Sequence, residues 1–291
     1  MIRTSLLALA TGAICAFFTL PNAAAQTYTL RYTPKKGTEY RYQTSMDMSQ
    51  SMNQGGMDMS IGINMNTNMN VKVVNARKNE NELKLSFKNA QMSITGLAAV
   101  GAGNDTNIAI DRLNDANVTF KTNGRGKVLS YDRAGIDNNE DQAVQQFGSG
   151  LRQVTNGFSL EYPEKALKKG DSWTVTTHDT SARGESGSMI TSSNVIYTFD
   201  GIVDTLGIKC ARIFSKSSSM IIEGSMQMQG MDMVVDADGS LQSVNYVELS
   251  TGMPVASRMT NQMDMRLALS GQQNMIMPMQ TDLKVSVVRI P

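Results

Sequence analysis

The sequence is poor in the side chains on which most catalytic sites depend. Its 291 residues include one histidine, His178, and two cysteines, Cys15 and Cys210. Cys15 lies within a predicted signal peptide, so the mature chain keeps a single thiol and can form no internal disulfide. No Gly-x-Ser-x-Gly elbow accompanies His178, and a Cys-His dyad would need these two isolated residues to meet. The sequence therefore predicts a protein that is not an enzyme and carries no cofactor.

An excess of charge of one sign and a membrane-spanning hydrophobic run are also lacking. The chain has 27 basic and 26 acidic residues, which gives no electrostatic reason to expect a nucleic acid partner. The one long apolar run, Leu6 to Leu20, is too short to span a bilayer and is followed by Ala23-Ala24-Ala25. This pattern predicts a signal peptide over residues 1–25, cleavage near Ala25, a periplasmic or secreted location and no transmembrane segment.

Proline and aromatic residues are scarce, and the remaining pattern is that of β-strands. There are six prolines and 6% aromatic residues. Valine, isoleucine, threonine and methionine alternate with serine, asparagine, glutamine and aspartate between glycine-containing turns, which is typical of antiparallel strands. The fold class predicted is mainly β, with curved or partly closed antiparallel sheets.

Two stretches of the sequence resemble each other and predict two tandem halves. Leu30 to Tyr42, LRYTPKKGTEYRY, and Leu160 to Val175, LEYPEKALKKGDSWTV, both read Leu-x-Tyr, then proline, then Lys-Lys-Gly and an aromatic residue. We expect β-rich repeats over residues 26–138 and 159–291, each forming its own sheet. Trp173 occupies the position of Tyr40 and is predicted to anchor the start of a sheet.

One helix is predicted between the halves, over residues 139–158. Asn139 can cap it, and Glu140 and Asp141 suit the helix dipole in its first turn. Apolar residues then recur at helical spacing, at Val144, Phe147, Leu151, Val154 and Phe158.

Methionine is abundant and clustered, and its positions predict three hairpins. Five methionines fall between Met46 and Ser60. A two-residue turn at Gly55-Gly56 would place Met52 opposite Met59 and Met46 opposite Met65, with all apolar residues on one face. A turn at Gln229-Gly230 would pair Met226 with Met233. A loop over residues 270–274 would give the methionines on either side of it the same face.

The methionine-rich face allows three interpretations. It is a packed, water-free core layer, or it lines a cavity for a lipid or another apolar ligand, since methionine adapts to irregular partners. Alternatively, its thioethers bind Cu(I), although such clusters usually include histidine. The candidate ligand-binding residues are Met46, Met48, Met52, Met59, Met65, Met226, Met228, Met233, Met263, Met265 and Met277.

Two glycine-containing motifs are predicted to be turns. NGRGK, Asn123 to Lys127, lacks the spacing of a phosphate-binding loop, and DADGS, Asp236 to Ser240, lacks the closing glutamate of a calcium loop. Neither motif predicts a ligand site.

Several motifs together resemble a family of exported bacterial β-rich proteins of unknown function. They are YPEKALKKGDSWTV with its Lys-x-Gly-Asp-x-Trp element, GIKCARI, DADGSLQSV and TGMPVASRMTNQMDMRLALS. The family has no established catalytic residues to carry over. Its fold is similar to that of periplasmic lipoprotein carriers with unclosed barrels, which is an analogy of fold alone. The function predicted is a non-enzymatic exported binding protein for an apolar ligand, the alternatives being an envelope structural or interaction module and a Cu(I)-binding periplasmic protein. The sequence identifies no protein partner.

Overall fold

The structure is a computed structural model that describes residues 26–54, 57–77, 79–100, 103–132, 136, 160–182, 187–228, 231–270 and 274–291. It is mainly antiparallel β, as predicted, with short 3-10 turns at Leu97–Val100 and Asp111–Asp115. The predicted signal peptide and the predicted helix over residues 139–158 lie outside the described residues. The strands are β1 Glu39–Gln54, β2 Met57–Arg77, β3 Glu80–Thr95, β4 Thr106–Ala109, β5 Asn117–Thr122, β6 Val128–Asp132, β7 Ser172–Ala182, β8 Gly187–Thr205, β9 Ile208–Met228, β10 Met231–Glu248, β11 Pro254–Ser270 and β12 Met275–Ile290.

The twelve strands of the described residues form one sheet. Its order is β6-β5-β3-β2-β1-β12-β11-β10-β9-β8-β7, with β4 paired to β3. The prediction of two separate sheets is wrong, because β1 pairs with β12 from Arg41↔Ile290 to Met52↔Met279. This ladder gives both strands a second partner and removes the two edges that separate sheets would expose.

Two segments that precede β1 and β7 cover one end of the sheet. These lead segments, residues 28–38 and 160–171, pair with each other at Tyr28↔Leu167. The backbone N–H of Tyr32 donates to Gly124 O at 3.0 Å, and that of Thr33 donates to Thr251 O at 2.7 Å. We call this the capped end. The turns after β1, β9 and β11 lie at the opposite, distal end.

One hydrophobic core fills the capped end. Its largest fully buried side chains are Tyr32, Tyr42, Tyr162, Phe87, Phe120 and Phe199. Residues of β3 and β5 share this core with residues of β8 and β9, strands that lie far apart in the sheet order. The sheet therefore curls at the capped end, and both predicted halves contribute to the same core.

The lead segments lie so close to two turns that only glycine fits there. A Cβ atom on Gly252 would lie 2.1 Å from Arg31 O, and one on Gly126 would lie 2.3 Å from Leu160 O. Both glycines also have positive φ, +72° and +87°, a conformation that other residues rarely adopt.

The two lead segments end in the same local structure. The N–H of Gly37 donates to Val73 O at 2.9 Å, and the N–H of Gly170 donates to Phe199 O at 2.7 Å. Each turn is closed by a second bond, from Thr38 N to Lys35 O and from Asp171 N to Lys168 O.

Trp173 anchors the second lead segment. Its indole N–H donates to Glu161 O at 2.8 Å, and its ring stacks on Tyr197 with centroids 5.3 Å apart. Trp173 is therefore an anchoring aromatic as predicted, but at the start of β7, an edge strand of the sheet that both halves share, and not at the start of a separate sheet.

Candidate functional site

The predicted hairpin registers are confirmed. Around the Gly-Gly turn, Met52 pairs with Met59, Met48 with Ile63 and Met46 with Met65. Around the second turn, Met226 pairs with Met233. Leu269 pairs with Met275 across the 270–274 loop. Directly paired residues point to the same side of a sheet, so the methionines of all three hairpins share one face.

The methionines form rows that cross the strands. One row runs Met59, Met52, Met279 and Met265, on β2, β1, β12 and β11 in turn. Neighbouring Cβ atoms in such a row are about 5 Å apart. Toward the distal end, the rows continue through Met277, Leu267 and Val235 and then through Met275, Leu269 and Met233. The side of the sheet that carries these methionines and the hydrophobic core is its inner surface. We call the distal part of this surface, on β1, β2 and β9 to β12, the thioether face.

Burial of these methionines decreases from the capped end to the distal end. Met46 and Met65 are 8% and 5% exposed. The other candidates whose side chains are described are half-buried: Met48, Met52, Met59, Met233, Met263, Met265 and Met277. Met226 and Met228 continue the face in backbone register, and their side chains lie outside the described set. The prediction of a water-free layer therefore holds near the core and is wrong toward the distal end, because the lead segments cover only the capped end.

Two glycines let methionines of the neighbouring strand lie across the thioether face. A Cβ atom on Gly239 of β10 would lie 2.7 Å from Met263 Cγ. A Cβ atom on Gly224 of β9 would lie 2.8 Å from Met189 Cγ. Because these positions carry no side chain, each thioether can pack directly over the backbone of the next strand.

Polar side chains on the inner surface fall into two groups. A satisfied chain of hydrogen bonds runs from Ser257 Oγ to Asn245 Oδ1 at 2.7 Å, then from Asn245 Nδ2 to Ser243 Oγ at 2.7 Å, and on to Ser215 Oγ at 2.5 Å. In contrast, Asn261 Oδ1 and Thr281 Oγ1 are buried without a hydrogen-bond partner among the described residues. Sequence patterning missed this pair, since both fit the strand alternation as ordinary polar residues.

The opposite face is polar, as the hairpin registers predict. Asp47, Ser49, Asp58, Ser60, Asn64 and Asn66 are all exposed. Amides and carboxylates bond across strands there, as from Gln262 Nε2 to Asp282 Oδ1 at 2.9 Å. Ile276 and Val234, 72% and 51% exposed, are apolar exceptions on this face.

The residues considered for catalysis do not meet. His178 lies within β7, not at a strand end or in a loop, and its Nδ1 lies 2.8 Å from Ser192 Oγ. Cys210 is buried in β9. Ser192, the neighbour of His178, pairs with Ile221 of β9, which is eleven residues along that strand from Cys210. This separation is about 36 Å at the rise of a β-strand. Burial raises the pKa of the Cys210 thiol to about 11, so the thiolate that a nucleophile requires is disfavoured.

Of the two glycine-containing motifs predicted to be turns, one is a turn and the other is part of a strand. Asn123 to Lys127 is a turn between β5 and β6, in which Asn123 Oδ1 accepts bonds from the N–H groups of Arg125 and Lys127. The predicted turn at DADGS is wrong, because Asp236 to Ser240 lies within β10. Ala237 is buried while Asp236 and Asp238 are exposed, so the segment alternates as a strand. Gly239 serves close packing and a register shift in the β9 ladder.

A separate polar cleft lies beside the edge strand β7. Its volume is about 590 Å³, and its lining includes Arg125, Glu161, Glu164, Trp173 and Thr174. Arg125 pairs with Glu161 at 2.7 Å and with Glu164 at 2.8 Å. These ion pairs join the β5–β6 turn to the second lead segment. The charged residues that line the cleft therefore have a structural role.

None of the helical segments among the described residues has the length and hydrophobicity that a membrane span requires. The same residues contain no group of three or more histidine, cysteine, aspartate or glutamate side chains that could hold a metal ion. A metal on the thioether face would therefore depend on methionine sulfur.

No protein-family model matches the chain, and no curated protein matches its sequence. Among solved structures, it is similar to a lipovitellin chain described for its lipid–protein interactions, with a TM-score of 0.48, 10% identity and 88% of this chain covered. The match spans a quarter, 25%, of the lipovitellin chain. OccK2 from Pseudomonas aeruginosa in complex with glucuronate aligns over 88% of this chain and 100% of its own, with 7% identity and a TM-score of 0.30. A DUF1329 family protein from Desulfovibrio piger aligns over 85% of both chains, with 11% identity and a TM-score of 0.15. These scores assign no family to the chain.

Proposed function

We propose that this is a non-enzymatic exported binding protein that holds a lipid or another apolar ligand against the thioether face. The observation that carries the proposal is the band of half-buried methionines on five adjacent strands, β2, β1, β12, β11 and β10. A water-soluble protein gains little from leaving so many thioethers partly hydrated on one face, and contiguous apolar surface of this kind commonly marks a binding site.

The chemistry of the face suits a variable apolar partner. Methionine is unbranched and polarizable, so the same surface can adapt to chains of different shape. Covering the exposed part of one such side chain contributes about 1 kcal/mol. Several methionines together therefore provide enough free energy for binding without any charged contact.

Two further features support this assignment. Cys210 is buried and lies far from the exposed His178, so these two residues form no Cys-His dyad, which supports a non-enzymatic role. The matched turns at Lys36-Gly37 and Lys169-Gly170 support two related halves that join to form one face. Export, and membership of the family that the motifs resemble, stay predictions.

The ligand is tested with protein purified without detergent. We expect native mass spectrometry to detect a co-purified lipid, and a neutral fluorescent apolar probe to bind the delipidated protein. Replacing Met52 and Met279 together by glutamine should weaken probe binding at least tenfold, since it hydrates the centre of one methionine row. Ile276→Gln on the opposite face is the matched control and should leave binding unchanged.

Equal loss in the control and in the double variant would mean that the probe binds exposed apolar residues in general. That result, or a clean apo mass with no probe binding, would contradict the proposal. It would favour the alternative of an envelope structural or interaction module.

A Cu(I) site is a second candidate, favoured by the row Met59, Met52, Met279 and Met265. Thioethers are soft ligands suited to Cu(I), and these four lie on adjacent strands. Leucine keeps the apolar surface but removes the sulfur, so Met52→Leu with Met279→Leu separates the two functions. Apolar-probe binding should survive this change if the ligand is a lipid.

The copper function requires the same double variant to lose Cu(I) affinity measured against a competing chelator. Cu(I) affinity no better than micromolar, or affinity that is unchanged by the leucine substitutions, would exclude it.

A further inference from the structure

Two buried polar atoms on the inner surface point to the chemistry of the ligand. Asn261 is 3% exposed and Thr281 is 5% exposed. Neither Asn261 Oδ1 nor Thr281 Oγ1 has a hydrogen-bond partner among the described residues. An unpaired polar atom in such a position costs about 1–3 kcal/mol, so a partner that arrives with a ligand would recover this free energy.

The two residues are neighbours on adjacent strands. In the β11–β12 ladder, Asn261 pairs with Leu283 and Met263 pairs with Thr281, so Asn261 and Thr281 are diagonal partners on the inner surface. Side chains in this relation are about 7 Å apart, so one group that displaced the side chains now covering them could contact both. Asn261 Nδ2 reaches over β10 toward Met220 Sδ at 4.0 Å, which leaves Oδ1 as the free acceptor.

The surroundings of the pair are uncharged and mostly apolar. Thr281 pairs with Gln50 on β1 as well as with Met263. Across β10, Gly239 and Leu241 occupy the corresponding rows. With no countercharge on these rows, a carboxylate or ammonium group would have to be desolvated without compensation.

The pair instead suits a neutral hydroxyl group. Asn261 Oδ1 can only accept, so the ligand must donate a hydrogen bond, whereas the threonine hydroxyl can both donate and accept. An alcohol can donate to Asn261 Oδ1 while its oxygen accepts from Thr281 Oγ1. A hydrocarbon satisfies neither atom, and an ether or ketone leaves Asn261 unpaired.

We infer that the ligand is a neutral long-chain amphiphile with a hydroxyl group, which binds between Asn261 and Thr281 while its chain lies on the thioether face. This inference rests on the proposed function and deepens it. From Thr281 to Met275, the face runs about 20 Å toward the distal end, at the rise of a β-strand. The hydroxyl is held where the inner surface is buried, and the chain meets the half-buried methionines.

The test compares two ligands that differ in one donor. 1-Hexadecanol and its methyl ether, delivered from cyclodextrin, compete with the fluorescent apolar probe on the delipidated full-length protein. We expect the alcohol to displace the probe at about tenfold lower concentration than the ether, because one buried hydrogen bond strengthens binding by about this factor. Asn261→Leu and Thr281→Val should each reduce this preference, and the double variant should abolish it while probe binding is retained.

Thr44→Val is a matched control. Thr44 is also a buried threonine whose Oγ1 lacks a partner among the described residues, at 4% exposure. It pairs with Val287 on β12, six residues or about 20 Å from Thr281 toward the capped end. Thr44→Val should keep the preference for the alcohol. Both Thr→Val variants should raise the unfolding midpoint of the ligand-free protein, since each removes an unpaired buried hydroxyl, which also verifies folding.

Equal competition by alcohol and ether, or a preference that persists in the Asn261→Leu/Thr281→Val variant, overturns this inference and leaves the proposed function intact. Absence of probe binding in the unmodified protein overturns the proposed function itself. Thr281→Ser keeps a hydroxyl and should retain most of the preference. Loss of the preference in that variant also counts against the contact.

Discussion

Glu248 and Arg289 form a partly buried ion pair at the capped end. Arg289 Nη1 lies 2.9 Å from Glu248 Oε2, and the two side chains are 14% and 19% exposed. Burial alone would raise the pKa of Glu248, but hydrogen bonds from Ser250, Arg289 and Thr251 outweigh it and hold the pKa below its usual value. The carboxylate thus ties the β10–β11 turn to the end of β12.

The first prediction concerns the stability that this pair contributes. Glu248→Gln should lower the free energy of unfolding at pH 7 by about 2 kcal/mol, because it leaves Arg289 without its charged partner. Since the folded pKa is lowered, the contribution is complete above the unfolded value of about 4.5 and is lost as the pH falls through the folded pKa.

Urea unfolding at pH 7 and at pH 3 measures this effect. The difference between Glu248→Gln and the unmodified protein should shrink at the lower pH, and a difference independent of pH would contradict the prediction. Glu164→Gln is the control, since the Glu164 side chain is 82% exposed and its ion pair should contribute much less.

The second prediction concerns Cys210. Its buried thiol donates to Ile208 O at 3.3 Å, and its pKa is raised to about 11. At pH 8, a thiol reagent should therefore label it far more slowly in the folded protein than after unfolding in urea. Labelling of the folded protein at the rate of the unfolded chain would contradict the prediction.

At the scale of elements, the lead segments determine where the sheet has a core. They lie across the turns that contain Gly126 and Gly252 and bury the inner surface at that end alone. The distal ends of the long hairpins extend beyond this cover, and the thioether face begins where the cover ends.

The third prediction separates close packing from backbone conformation. Gly252 and Gly207 both lie in turns at the capped end, with φ of +72° and +75°. A Cβ atom on Gly207 has nothing within 4 Å, whereas one on Gly252 would overlap Arg31 O. Gly207→Ala should cost about 1 kcal/mol for the positive φ, and Gly252→Ala should cost roughly 3 kcal/mol or more because the lead segment must also move.

Chemical denaturation of both variants provides the comparison. Equal losses of stability would show that the first lead segment does not press on the β10–β11 turn as described.

The local alternation of residues was sufficient to predict the hairpin registers. It was insufficient to predict how the strands of the two halves join in one sheet. The parity of Met46, Met52, Met59 and Met65 around Gly55-Gly56 defines one register, because a shift by one residue would turn every side chain to the other face. At DADGS the local turn signal failed, since the ladders on both sides of β10 keep Asp236 to Ser240 extended. The β1–β12 ladder and the graded methionine burial depend on contacts between distant segments, which periodicity does not encode.

At the scale of the whole molecule, one sheet and one core predict one cooperative unit. Trp173 belongs to the second predicted half, yet it packs against a core shared with β3 and β5 of the first. The fourth prediction is therefore that Trp173 fluorescence and far-ultraviolet circular dichroism give the same unfolding curve in urea. Two separated transitions would instead indicate that the halves unfold independently.

The ladder between β1 and β12 has a consequence for how the chain reaches its native state. β1 is separated from its partner β12 by more than 200 residues, from Met52 to Met279, and closing so long a loop makes this pairing a slow step. Until then β1 exposes an unpaired edge rich in apolar thioethers, which is vulnerable to association with other chains. A nascent or truncated polypeptide without β12 should therefore be the form most in need of a chaperone.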